Sequence, residues 1–111
     1  MEFTVVLVTV PNRETGKLIA EALVSERLAA CVNVVPGLLS IYSWQGNVER
    51  SDEELLVIKT RQSLVAALSR RVKELHPYSL PEVIALPVAG GSELYLQWLQ
   101  AETRDNPSSA A

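Results

Sequence analysis

The chain has 111 residues, 48% of them hydrophobic, enough for one compact domain with a modest buried core. Ten basic residues against thirteen acidic ones give a formal charge of -3, which leaves no cationic field to draw in a phosphate backbone and removes nucleic acid as the expected partner. A single cysteine, Cys31, excludes an intrachain disulfide and fits a reducing compartment, so the expected location is the cytoplasm.

In chain order, "FTVVLVTV" at Phe3 to Val10 is rich in β-branched residues and apolar on both faces, as a strand covered from both sides is. It is too short to span a bilayer and has no basic leader, so neither a membrane anchor nor a signal peptide is read here. Pro11 ends it. Asn12 then offers an N-cap to a helix expected from Arg13 to about Arg27, with Leu18, Ile19, Ala22 and Leu23 recurring at helical spacing. "ACVNVV" returns to strand character, Pro36 and Gly37 mark a turn or bulge, and "LLSIYSW" runs on to a hairpin tip at "QGN". The return strand, "NVERSDEELLVIKT", is expected to loosen around Ser51 and Asp52.

Ser63 reads as the cap of a second helix whose Leu64, Leu68, Val72 and Leu75 form one apolar stripe, and Pro77 stops it. "EVIALPV" is a fourth strand, "GGS" a turn, and Ser92 the cap of a short last helix expected to bury Tyr95, Trp98 and Leu99. The division is a single domain over 1–102 and a small, polar, frayed tail over 103–111. The order β-α-β-β-α-β plus a terminal helix predicts an α+β fold, the ferredoxin-like sandwich with both long helices on one face. The other sheet face is also apolar and needs a cover, which a second copy of the same sheet supplies; the long arms of the central hairpin leave edges free to pair across that boundary.

"ALVSERLAACVNVVPGLLSIYSWQGNVERSDEELLVIKT", followed by "HPYSLPEVIALPV" and "YLQWL", closely resembles the CutA family of divalent-cation tolerance proteins over almost the whole chain. The most specific pieces are "RLAACVN", "SIYSWQG", "IKT" and "HPYSLPE". The resemblance implies a ferredoxin-like protomer in a homotrimer built like the PII signalling proteins, and a part in tolerance of copper and other divalent metals without an established enzymatic reaction. Two features depart from many relatives: Ser79 and Leu80 follow "HPY" where an acidic or polar residue is common, and Cys31 and His76 are the chain's sole cysteine and histidine.

Cys31 reads either as a thiolate ligand for a soft metal or as a small buried hydrophobe, the latter being the commoner role of an isolated cysteine. His76, at the end of the second helix, either complements the helix dipole or is held by Pro77 and Pro81 in fixed relation to Tyr78 and Glu82 at the lip of a cleft. Cys31, His76 and Glu82 form the metal-ligand set, one soft sulfur, one borderline nitrogen and a carboxylate, better suited to copper or zinc than to calcium. Lys59 and Tyr78 are the candidates for contacting a small ligand, Lys59 because its ammonium stands in an otherwise apolar strand and must reach a cleft, a carboxylate or solvent. The run Glu49, Arg50, Asp52, Glu53 and Glu54 reads as a charged hairpin face.

Three function classes follow. The first is a trimeric binding or signalling protein that responds to divalent metal, with a PII-like sensor of a small metabolite at an inter-subunit cleft as its alternative; the second is an enzyme pairing Cys31 with His76, which no local nucleophile motif supports; the third is an RNA binder. RNA-recognition modules share the element order but carry aromatics where "ELLVIKT" offers aliphatics. No organic cofactor motif is present.

Overall fold

A computed structural model of the chain describes residues 2–105. The elements are β1 (Phe3–Val10), α1 (Arg13–Ser25), β2 (Cys31–Trp44), β3 (Asn47–Arg61), α2 (Val65–Leu75), β4 (Ile84–Pro87) and α3 (Glu93–Glu102), with a short 3-10 turn at Gln62–Leu64 leading into α2. The four strands form one sheet in the order β2-β3-β1-β4, each antiparallel to its neighbour. This is the split βαβ arrangement read from the sequence, extended by a long β2–β3 hairpin and a terminal helix.

Alternation along β1 divides the sheet. Thr4, Val6, Val8 and Val10 are buried, and Val6 and Val8 lie opposite Ile58 and Leu56 of β3. These meet Ile19 and Leu23 of α1 and Leu68 and Val72 of α2 in one core, where each fully buried aliphatic side chain contributes about 1.5–3 kcal/mol. On the other face Val5, Leu7, Leu55 and Val57 are half-buried, and Ile84 and Leu86 are 50% and 45% exposed. The expectation of two apolar faces is met, and in the single chain one of them lies open.

The hairpin turns at Gln45 and Gly46, with φ of 50° and 84°, between the paired Trp44 and Asn47, the mirror-image turn that suits the twist of flanking strands. β3 runs without a break through Ser51 and Asp52, which pair with Ser40 and Leu39, so the expected loosening there is absent. The irregularity sits on the facing strand. Val35 pairs with Leu55 and Leu38 with Glu53, so β2 carries one residue more than β3 between these pairs. Gly37 absorbs it at φ 82°, a left-handed conformation that a side chain resists. Without the bulge, Leu38, Ser40, Tyr42 and Trp44 would stand on the opposite face.

Several expected boundaries move. α1 ends at Ser25, two residues before Arg27, because Arg27 turns left-handed at φ 61° and the Leu28 N–H folds back to the Leu23 carbonyl at 2.9 Å. Ser63 lies inside the 3-10 turn and α2 begins at Val65 with no side-chain cap bond. β4 is reduced to four residues. Ser92 does cap α3, its Oγ accepting from the Tyr95 N–H, but of the three expected core residues only Leu99 is buried; Tyr95 and Trp98 are 44% and 43% exposed. Thr103, assigned to a frayed tail, is 4% exposed, and the Arg61 guanidinium donates to its Oγ1 at 2.8 Å and to its carbonyl at 3.1 Å. Residues 106–111 of the proposed tail lie outside the described residues.

Candidate functional site

The segment from His76 to Glu82 is built by its prolines. A residue before proline is driven out of the helical region, and His76 accordingly sits at φ -83° and ψ 137°, leaving the axis of α2 while its N–H still reaches the Val72 carbonyl at 2.8 Å. The imidazole swings under β1. Its Nε2 lies 2.7 Å from the Thr9 carbonyl, and its Nδ1 accepts the Tyr78 N–H at 3.1 Å. These partners fix one tautomer: the proton is on Nε2, which donates to the carbonyl, and the lone pair of Nδ1 is occupied. With 7% of its surface exposed and both nitrogens engaged, His76 serves as a brace, and ligating a metal would require breaking one of these bonds.

The brace aims Tyr78. Its ring packs against the imidazole with centroids 4.6 Å apart, and its hydroxyl donates to Glu53 Oε2 at 2.8 Å. Burial, reinforced by that bond, pushes the Tyr78 phenol up to about 12, so it remains a donor across the physiological range. Burial raises the Glu82 carboxyl too, and the neighbouring Glu53 charge adds to the shift. Glu53 and Glu82 thus share one poorly solvated region.

Together with Ser40, Tyr42 and Trp44 on the bulged arm of β2, these side chains line a cleft of about 640 Å³ closed on the other side by Ser79, Leu80 and Pro81. The Tyr42 hydroxyl is 2.8 Å from Ser51 Oγ, which steadies the aromatic wall. Of the residues singled out in the sequence, Tyr78 and Glu82 stand in the cleft, and His76 supports it from beneath.

Cys31 and Lys59 do not join them. They pair with each other across β2 and β3, and Lys59 Nζ donates to Asn33 Oδ1. Thr9, which holds the imidazole, pairs with Leu55, four residues along β3 from Lys59, about 13 Å away at a rise of roughly 3.3 Å per residue. The set Cys31, His76 and Glu82 is therefore not assembled within one chain. Among the described residues no group of three or more His, Cys, Asp and Glu side chains is placed to hold a metal ion. The residues that sequence reasoning passed over are Glu53, read as part of a solvated hairpin face but 8% exposed, and the aromatic pair Tyr42 and Trp44. Alternation alone could not place the two aromatics, because the bulge at Pro36 and Gly37 decides their face.

The model of one family, described as CutA1 divalent ion tolerance protein, matches residues 4–102. The chain is 57% identical over 99 residues to the divalent-cation tolerance protein CutA of Thermus thermophilus, covering 89% of this chain and 96% of that one. It is 58% identical over 101 residues to a CutA protein of Arabidopsis thaliana described as chloroplastic, covering 91% of this chain and 56% of the relative, so it spans a little over half the length of that plant protein. The solved structure of the divalent cation tolerance protein from Thermus thermophilus superposes with a TM-score of 0.91 at 55% identity, covering 92% of this chain and 99% of the other.

Proposed function

The chain belongs to the CutA1 divalent ion tolerance protein family, and on that premise we propose that it acts as a homotrimeric binding protein in the response to divalent metal ions, copper among them, and not as an enzyme. The observation that carries the assembly is the open sheet face. Val5, Leu7, Leu55, Val57, Ile84 and Leu86 form an apolar surface of the kind a stable monomer does not expose, and closed symmetry covers it with further copies of the same surface. The cytoplasm is the compartment we propose, resting on the single cysteine.

A nucleophile and its base must stand within hydrogen-bond reach, and the positions that hold Cys31 and His76 lie four residues apart along β3, about 13 Å at roughly 3.3 Å per residue, which favours binding over Cys/His catalysis. The same separation constrains copper. The donors of one chain do not fit a closed copper site, so tight binding through Cys31 has to draw its remaining ligands from a second copy. Competition titration of the assembled protein with Cu(I), under anaerobic and reducing conditions, tests this. Binding at one equivalent or fewer per chain, weakened by Cys31→Ser, is expected; no saturable metal binding contradicts the metal-responsive reading.

A second reading, a trimer that senses a small organic molecule, is favoured by the cleft. Its volume of about 640 Å³ falls within the range of small-molecule sites and far exceeds the space an ion occupies.

A further inference from the structure

The chemistry of the cleft wall selects among organic ligands. Glu53 and Glu82 bring two carboxylates to it, and among the described residues no Lys, Arg or His side chain lines it. An anion would enter against both charges without a partner. Glu53 is 8% exposed, with Oε2 bonded to Tyr78, and the Glu82 carboxyl is raised by burial first and by the Glu53 charge second, so a positive group placed between them offsets both the lost solvation and the repulsion. A bare divalent ion such as calcium takes six or more oxygen ligands; here one Glu53 oxygen already accepts from Tyr78, and much of the wall is carbon. Tyr42 and Trp44, each 42% exposed, offer ring surface suited to an alkyl chain or to the charge of an ammonium group.

We propose that the cleft is a site for a small organic cation of the primary amine or diamine class, its ammonium group held between Glu53 and Glu82 and its carbon chain lying against Tyr42 and Trp44. The inference rests on the small-ligand reading and deepens it. Glu53 shares its sheet face with Leu55 and Val57, so the ligand sits at the border of the surface that a neighbouring copy covers.

Calorimetric titration of the 111-residue chain with three four-carbon probes, 1,4-diaminobutane, 1,4-butanediol and succinate, tests the proposal at constant ionic strength. Saturable binding of the diamine alone is expected, weakened at least tenfold by Glu82→Gln and by Trp44→Ala in protein that keeps its wild-type oligomeric state. If Trp44→Ala does not fold, Glu82→Gln alone decides. Diamine binding that these variants leave unchanged overturns the assigned site. Binding of the diol or succinate as tight as that of the diamine, and lost in Trp44→Ala, overturns the cationic ligand while leaving the small-ligand reading intact. Failure of all three probes to bind overturns the cation and counts against that reading too.

Discussion

The hydroxyl of Tyr78 donates to Glu53 Oε2 at 2.8 Å, tying the segment between α2 and β4 to the hairpin arm 25 residues away in sequence. The contact exists because Pro77 turns His76 out of its helix and the imidazole then holds the Tyr78 N–H. Tyr78→Phe deletes the donor and leaves a nearly buried carboxylate short of a partner, so a stability loss on the order of 1–2 kcal/mol is expected in denaturant unfolding. Because the folded phenol ionises near 12 and the unfolded one near 10, its contribution is fully present below pH 10 and is lost as pH rises through 12. The absorbance titration of wild type minus Tyr78→Phe should show a step at the upper value, and a step at the ordinary tyrosine value contradicts the bond.

Glu82 gives a slope in the acid range. Its carboxyl is raised in the folded state, so the native protein holds the proton more tightly than the unfolded chain does, and stability falls as pH rises from the ordinary glutamate range through the folded value. Glu82→Gln should flatten that part of the stability profile and raise the melting temperature by a few degrees at neutral pH. A melting temperature lowered by this change indicates that the carboxylate is held by a stabilising partner instead.

Adjacent residues of β3 should separate folding from assembly. Ile58 is fully buried against the helices, so Ile58→Asp places a carboxylate in the core and should leave no folded protein; Ile58→Ala should cost about 2–5 kcal/mol. Val57 faces the open side opposite Leu7, and Val57→Asp should keep the protomer's helical circular dichroism while lowering its oligomeric state. Light scattering that finds Val57→Asp assembled like wild type removes this face from the interface.

At the bulge, Gly37 has nothing within 4 Å of an added Cβ, so Gly37→Ala meets backbone strain alone. The expected cost is about 1–2 kcal/mol, read from the shift in denaturant midpoint. An unchanged or raised midpoint shows that the bulge does not need the left-handed residue.

The apolar β-branched run of β1, the stripe of Leu64, Leu68 and Val72, the caps at Asn12 and Ser92, and the stop at Pro77 are legible in the sequence and stand where local chemistry puts them. The prolines around His76 were read as a positioning device, and they are one, but what they position is Tyr78. Sequence spacing could not show that both imidazole nitrogens are occupied, since one partner is the Thr9 carbonyl 67 residues away. Nor could it place Tyr42 and Trp44 beside Glu53, because a single extra residue in β2 sets which face that whole arm presents. Tyr95 and Trp98 stay largely outside the core that the sequence predicts for them, since a helix added to the end of a complete sandwich has little of that core left to share.

The central claim, a family member that works as a closed assembly of three chains, meets its most direct test in native mass spectrometry of protein purified without chelators and diluted to low micromolar concentration. The account predicts one principal species at three times the chain mass at that concentration, with monomer at most a minor species. A compact monomer with a narrow, low charge-state distribution, persisting as the principal species, contradicts it.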